Sequence, residues 1–544
     1  MSTSFALDWI ARQVGVSEPQ DPRSDANEMA AHFGILWPLL QVASIFPKGF
    51  DVDLLAGILA MDGGKLRPLL TDAKQRGGLT LAADGYHVPP GIQATAYADT
   101  PAQVRHALHR RAAETLNQRG PATSEDASCI AHQFEKAEDA QAAFNWWMTA
   151  ARGAIEDGIP ECATPYLERA LALSLTGGAS QTAANKLAAV RLLGPLLAQL
   201  KGSGSDDVAA VYAHCLEIAE GLTGSAPAIE FDVLWGLNAC ILVHGRIETA
   251  GEMSRRLLAA GRTAGNETQV LLATRLRGLA ALLSGELDAA LVDFKAVKSI
   301  CETTDYTHLR FTHASDQSAI ARAHQAWAEA IAGDPDASAH SHNMALDQAE
   351  QLQHPHTSAH VMCVLAARAQ TLGLRRIAAP LANAALTIAR QQRFAYWEAW
   401  AEIILAWNEG LRGVDTSGAR IDHAIRAYRD TGAGQALPYA HHLRASVAIA
   451  AGDFAAAIAA ADAGLAFSEA YGVTLFQAAL LLDKAEATAD LAEQHALFSE
   501  AAAIARNQGA EFYVRRSAIL RSTAGARCEK DVTQWQYRLP PVKI

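Results

Sequence analysis

A glycine followed five residues later by alanine, glycine or serine recurs along this chain, and that beat restricts the fold more than any other feature. It appears as Gly158–Ala163, Gly245–Ala250, Gly285–Ala290, Gly333–Ser338, Gly373–Ala378, Gly413–Gly418 and Gly452–Ala457. The last six glycines lie 40, 48, 40, 40 and 39 residues apart. A period of roughly 20–50 residues marks a solenoid, whose units bury their apolar faces only against neighbouring units. Each unit reads as a helix, a tight turn at the glycine and a second helix. Glycine enters the left-handed backbone region without a Cβ penalty and so ends the first helix. The small residue five positions on then falls where two helices pack closely. Gly245, Ala250, Gly285, Ala290, Gly373, Ala378, Gly452 and Ala457 are the expected repeat-packing positions. The predicted fold is all-α, a TPR-like right-handed superhelix of about nine or ten helix pairs.

Length and charge narrow the function. A chain of 544 residues exceeds one ordinary core, and with half its residues hydrophobic and 19% charged it has the composition of a folded protein. The net charge of −12 disfavours nucleic acid and anionic membrane surfaces as partners. No apolar run is long enough for a membrane span, and Met1–Ile10 lacks a signal-peptide pattern, so a cytoplasmic location is expected. The seven cysteines (129, 162, 215, 240, 301, 363 and 528) stand singly, as structural thiols do in a reducing compartment. Cys528, in the polar tail, is the one expected to react.

Residues 26–100 depart from the repeat pattern. After an N-terminal helix and linker at 1–25, one helix is predicted over Ala26–Ser44 and a second after Asp51, a suitable N-cap. A third follows Gly63-Gly64 and runs to about Arg76. Leu79–Val88 alternates around Asp84-Gly85 and predicts a β-hairpin. Three helices and a hairpin predict a small winged-helix domain at 26–100. Helix resumes at 101–118 with Pro101 at N1, repeats fill 101–522, and 523–544 form a tail.

In this order the segments resemble the C-terminal half of signal-transduction ATPases with numerous domains (STAND class), in particular those associated with bacterial class III adenylate/guanylate cyclases and the large LuxR-type regulators. Phe50–Leu59, Leu66-x-x-Leu69-Leu70, Gly77-Gly78-Leu79, Tyr86-His87-Val88 and Leu108–Glu114 carry the winged-helix part. Glu168–Leu173, Trp397–Ala401, Ser499–Arg506 and Gln508–Ala510 carry the repeat part. The resemblance implies a module that packs on, and regulates, a nucleotide-binding domain. That domain precedes the winged helix in the family, and here it is expected to come from another chain. No Gly-x-x-x-x-Gly-Lys-(Ser/Thr) motif occurs, since Gly63-Gly64-Lys65-Leu66 lacks both the spacing and the hydroxyl. The family often has a basic residue where this chain has Gln93, which weakens the contact implied there.

Three clusters carry residue types suited to chemistry or binding. His340, His342, His354, His356 and His360 include an i, i+4 pair suited to a metal, but no cysteine joins them and packing roles are favoured. Tyr396, Trp397, Trp400 and Trp407 share one helix and read as a packing face, the outermost ring being available for ligand stacking. Lys65, Arg67, Lys74 and Arg76 lie on the would-be recognition helix, yet acids outnumber bases six to five over 26–90. These four therefore read as partner contacts rather than DNA contacts. No catalytic motif stands in context, and repeat arrays offer a broad curved surface rather than a closed, dry pocket. The expected function is non-enzymatic and needs no cofactor: binding of a partner protein, peptide or small effector, and regulation in trans of a signalling ATPase, cyclase or regulator. The alternative is a transcription regulator with a DNA-binding winged helix and ligand-sensing repeats.

Overall fold

The computed structural model describes residues 24–174, 179–221, 227–414 and 417–523. The N-terminal helix, the C-terminal tail and Cys528 lie outside them. The described residues are all-α apart from one two-stranded hairpin. They form two compact units, one within residues 1–157 and 162–189, the other within 158–161 and 190–544.

In the first unit the helix expected over Ala26–Ser44 is broken. Helix Ser24–Phe33 ends at Gly34, whose φ of +53° turns the chain into a short 3-10 segment before helix Trp37–Ala43. Phe33, Leu36, Trp37 and Leu40 from these segments meet Leu54, Leu55, Ile58, Leu66, Leu70 and Leu108 in one core. Asp51 caps helix Val52–Leu59 by accepting from the Leu54 amide at 2.6 Å. The same carboxylate takes two bonds from Arg119, at 2.7 and 2.8 Å, which hold it below the usual carboxylate range. Helix Gly63–Gln75 is capped by Asp62, and the strands Thr80–Ala82 and Gly85–His87 follow. Ala82 pairs with Gly85, so the two-residue loop is Ala83-Asp84, one position earlier than predicted. The backbone explains the shift. Gly85 sits at φ +131° against the Phe50 carbonyl, where a Cβ would stand 2.6 Å away, and Phe50 bridges Tyr86.

Helix Pro90–Asp99 was not foreseen; its Asp99 accepts from the Trp37 indole at 2.8 Å and from Gln41 at 3.0 Å. Gln93 on this helix donates to the Ser44 carbonyl at 3.1 Å, a local task that a basic residue is not needed for. Pro101 is the N-cap of helix Ala102–Arg119 rather than its first residue.

The second unit is a run of helix pairs. From residue 227 the pairs are Pro227–Val243 with Ile247–Thr263, Glu267–Leu283 with Leu287–Thr303, Gln317–Ala332 with Pro335–Leu352, and Pro355–Thr371 with Arg375–Gln392. Ala395–Gly410 with Ser417–Asp430, Leu437–Ala450 with Phe454–Tyr471, and Gln477–Ala487 with Leu491–Gln508 continue it, and Glu511–Thr523 covers the end. First helices such as Gln317–Ala332 and Pro355–Thr371 are buried on almost every side, and second helices such as Arg375–Gln392 bury one stripe. The turn glycines 245, 285, 333, 373, 413 and 452 have φ between +71° and +93°. Ala250, Ala290, Ser338, Ala378 and Ala457 are wholly buried. In the pair Ala395–Gly410 with Ser417–Asp430 the beat slips by one residue, Ser417 being buried and Gly418 half-buried. Ala290→Leu adds three heavy atoms to a closed contact and is expected to cost on the order of 1–3 kcal/mol, against at most about 0.5 kcal/mol for alanine at exposed Asp288. Peptide-resolved hydrogen exchange checks this, and unchanged protection around 270–300 would contradict it.

Two features of this unit go beyond nearest-neighbour stacking. The 48-residue step between Gly285 and Gly333 contains an inserted segment with a short helix, Leu309–Thr312, and Ala314 at φ +66°. In addition, turns far apart in sequence meet. The Gly434 and Gln435 amides donate to the Val243 carbonyl at 2.8 and 3.1 Å, and the Leu475 amide donates to the Leu283 carbonyl at 3.1 Å. Thr474 Oγ1 donates to the Ser284 carbonyl at 2.6 Å. Gly432 lies so close to Gly204 that a Cβ on it would stand 1.8 Å from the Gly204 oxygen. The repeats therefore come round on themselves and leave a partly open interior space between their first helices.

Candidate functional site

What remains of that interior is a cavity of about 110 Å³, lined by the first helices of successive pairs. Trp235 comes from Pro227–Val243, Arg275 from Glu267–Leu283, His324 from Gln317–Ala332, and His356 and His360 from Pro355–Thr371. Tyr396, Trp397 and Trp400 come from Ala395–Gly410, and Gln435 from the turn that contacts Val243. The inserted segment supplies His313, Ala314 and Ser315. Tyr212 enters the lining because Gly194 and Gly236 leave room for its ring, where a Cβ on either would come within 2.8 and 2.2 Å.

The histidines are neutral hydrogen-bonding groups at this site. Trp397 Nε1–H donates to His356 Nε2 at 3.1 Å, and indole nitrogen can only donate, so Nε2 carries no proton. The proton sits on Nδ1, which donates to Ser315 Oγ at 2.8 Å. Burial pushes His356 down to about 3 and, with Arg275 adding to it, His313 also to about 3. Burial takes His324 to about 4. His313 packs edge-on against Trp235 at 4.5 Å between ring centres, and His360 lies 4.2 Å from the Trp397 ring.

Arg275 is the charged exception. It is only 6% exposed, its Nε donates to Gln317 Oε1 at 3.0 Å, and its guanidinium lies 5.6 Å from the Trp235 ring centre. No aspartate or glutamate lines the cavity among the described residues. Burial lowers Arg275 to about 10, which leaves it cationic at neutral pH. Two further lining atoms, Trp400 Nε1 and Gln435 Oε1, are buried without a hydrogen-bond partner.

The sequence-derived candidates distribute as follows. His356, His360, Trp397, Trp400 and Tyr396 come together at the cavity, while Trp407 is buried outside its lining. His354 caps helix Pro355–Thr371 by accepting from the Thr357 amide. His342 is buried beside Arg368, and His340 is exposed. Among the described residues no group of three or more His, Cys, Asp or Glu is placed to hold a metal ion. Lys65, Arg67, Lys74 and Arg76 are all exposed in the first unit, Arg76 being paired with Asp72 at 2.9 Å. Gly245, Gly285, Gly373 and Gly452 are turn residues of the second unit, remote in role from the cavity. Arg275, His313 and His324 were missed. The irregular 48-residue step was the available signal for His313. Cys162 is exposed, so exposure does not reserve reactivity for Cys528, and burial pushes Cys215 and Cys240 up to about 12. No helix of the described residues is long and apolar enough to cross a membrane.

The fold is that of a TPR-like helical-repeat protein with a partly open cavity among its first helices. No family model matches the chain. A stretch of 147 residues is 32% identical to a protein of Rhizobium meliloti (strain 1021) described as uncharacterized; it covers 27% of this chain and 14% of that protein. The chain thus spans a small part of that relative's length. Among solved structures, a Rap protein complexed with competence and sporulation factor is 13% identical, with a TM-score of 0.45 over 72% of this chain and 99% of that one. A STAND protein with a tetratricopeptide-repeat sensor from Pyrococcus horikoshii is 11% identical, with a TM-score of 0.39 over 96% and 69%. The fold assignment rests on the helix pairs themselves.

Proposed function

We propose that the chain is a non-enzymatic sensor and interaction module that binds a small effector in its repeats and regulates a separately encoded signalling ATPase, cyclase or regulator. The observation that carries this reading is the cavity. A cavity whose described lining holds an unpaired cation, beside buried polar atoms without partners, is suited to receive a small molecule. In this reading residues 26–100 act as a winged helix that docks on the partner through the face bearing Lys65, Arg67 and Lys74. The same exposed cations favour the second reading, a DNA-binding winged helix. Against it, Asp62 and Asp72 lie on or beside the same helix, and Arg76 is neutralised.

The test is capture from the native host with the wild-type chain and with a variant reversing Lys65, Arg67, Lys74 and Arg76 to glutamate. A signalling ATPase, cyclase or regulator held by the wild type and lost by the variant is the expected result. A sequence-specific DNA footprint at physiological salt, abolished by the same substitutions, would establish the transcription-regulator reading instead.

A further inference from the structure

We propose that the cavity of the second unit is a receptor site for a small aromatic monocarboxylate, with Arg275 holding the carboxylate and Trp235, Trp397 and Trp400 enclosing the ring. The inference rests on the effector-sensing reading and gives the effector a chemical class.

A buried guanidinium without a counter-ion is a standing cost to the fold, because its desolvation is not offset by a carboxylate. Neither Nη atom of Arg275 has a hydrogen-bond partner among the described residues; the only polar contact of the side chain is Nε to Gln317. A ligand carboxylate fits the guanidinium fork with two parallel charge-assisted bonds and removes the cost on binding. The histidines around it, His313, His324, His356 and His360, are held neutral by burial, so the site carries one permanent positive charge. One charge matches a monoanion. Phosphate esters call for several cations or a run of free amides, and among the described residues Arg275 is the one cation in the lining.

Size and lining fix the rest. About 110 Å³ is less than the roughly 150 Å³ of an apolar cavity that accepts benzene, so the space holds at most a single ring and excludes a nucleotide. Three indoles and two tyrosine rings line it, which favours an aromatic over an aliphatic body. Trp400 Nε1 is an unused donor and Gln435 Oε1 an unused acceptor. A ligand hydroxyl can accept from the first or donate to the second. The site is therefore matched best by a hydroxylated aromatic acid.

The probes are phenylacetate, 4-hydroxyphenylacetate and the neutral phenylacetamide, titrated into the full chain by calorimetry and by tryptophan emission. Both acids are expected to bind, the hydroxylated one more tightly, and the amide at least about tenfold more weakly. Arg275→Met is expected to abolish binding of the acids and to raise the melting temperature of the ligand-free protein, since it removes an uncompensated buried charge. Arg275→Lys keeps a charge but loses the fork, and should bind the acids more weakly than the wild type. A short peptide ending in phenylalanine, compared with its C-terminal amide, separates a free acid from a partner's chain end: preference for the free-carboxylate peptide over phenylacetate would identify the chain end as the source of the same chemistry. Equal binding of acid and amide, no binding of either acid or of the free-carboxylate peptide at millimolar concentration, or a lower melting temperature for Arg275→Met would each overturn the proposal. Failure here leaves the partner-capture result standing, because that is read on substitutions in the first unit.

Discussion

Lowering the pH from about 7.5 to about 5.5 is expected to remove about 5 kcal/mol of stability from the second unit. Four of its histidines, His313, His324, His354 and His356, are buried and held neutral, with values of about 3, 4, 4 and 3. In the unfolded chain each titrates near 6.5. The sign follows from proton counting. Below 6.5 the unfolded state takes up protons that the folded state refuses, so stability is complete above that value and is lost as the pH falls toward 3–4. Each group contributes about 1.4 kcal/mol per pH unit in that window. Burial pushes the carboxyls of Asp232, Asp316 and Glu486 up, which acts in the opposite sense, but three such groups do not offset four histidines. A loss of this size is comparable with the whole stability of an ordinary domain, so the unit should open in mild acid. The first unit has one equivalent group, His109, pushed down to about 4, and should outlast it. Urea unfolding at the two pH values, with hydrogen exchange assigning the loss to each unit, is the measurement. A change below about 1 kcal/mol would show that these imidazoles are solvated in the native state.

How much of this was legible in the sequence depends on the range of the interaction. The helix pairs follow from local rules: a positive-φ glycine at each turn, a small residue where helices touch, an aspartate at an N-cap. All of these act within about one turn or one repeat. The closure of the array on itself does not. It depends on backbone contacts such as Gly434 to Val243 and Thr474 to Ser284, made across some 190 residues, and no periodicity encodes them. The cavity was hidden for the same reason. Arg275 and Arg277 look alike in sequence, yet Arg277 is paired with Asp293 while Arg275 points inward with no acid beside it. The aromatic spacing on Ala395–Gly410 predicts a packing face, and its rings are buried, but Trp397 and Trp400 also form one wall of the site. The interruption of the repeat at the 48-residue step was visible, and only the fold shows that the extra residues carry His313 and Ser315 to the cavity.

The closure can be tested at a single glycine. Gly432 and Gly373 are both turn residues in the left-handed region, with φ of +76° and +71°. They differ in surroundings: a Cβ on Gly373 meets nothing within 4 Å, whereas one on Gly432 would stand 1.8 Å from the Gly204 oxygen. Gly373→Ala should therefore cost only the backbone penalty, about 1 kcal/mol. Gly432→Ala should cost on the order of 3 kcal/mol or more, because the facing group is main chain and the two turns must separate to admit a methyl. Separation would pull on the neighbouring Gly434 and Gln435 amides bonded to Val243, and through Gln435 on the cavity wall. Tryptophan emission should respond to Gly432→Ala and stay unchanged in Gly373→Ala, since Trp397 and Trp400 line the space that would open. Chemical unfolding of the two variants side by side gives the comparison. Equal costs would mean that the turns at 202–204 and 431–434 do not meet in solution, and that the repeats do not come round on themselves.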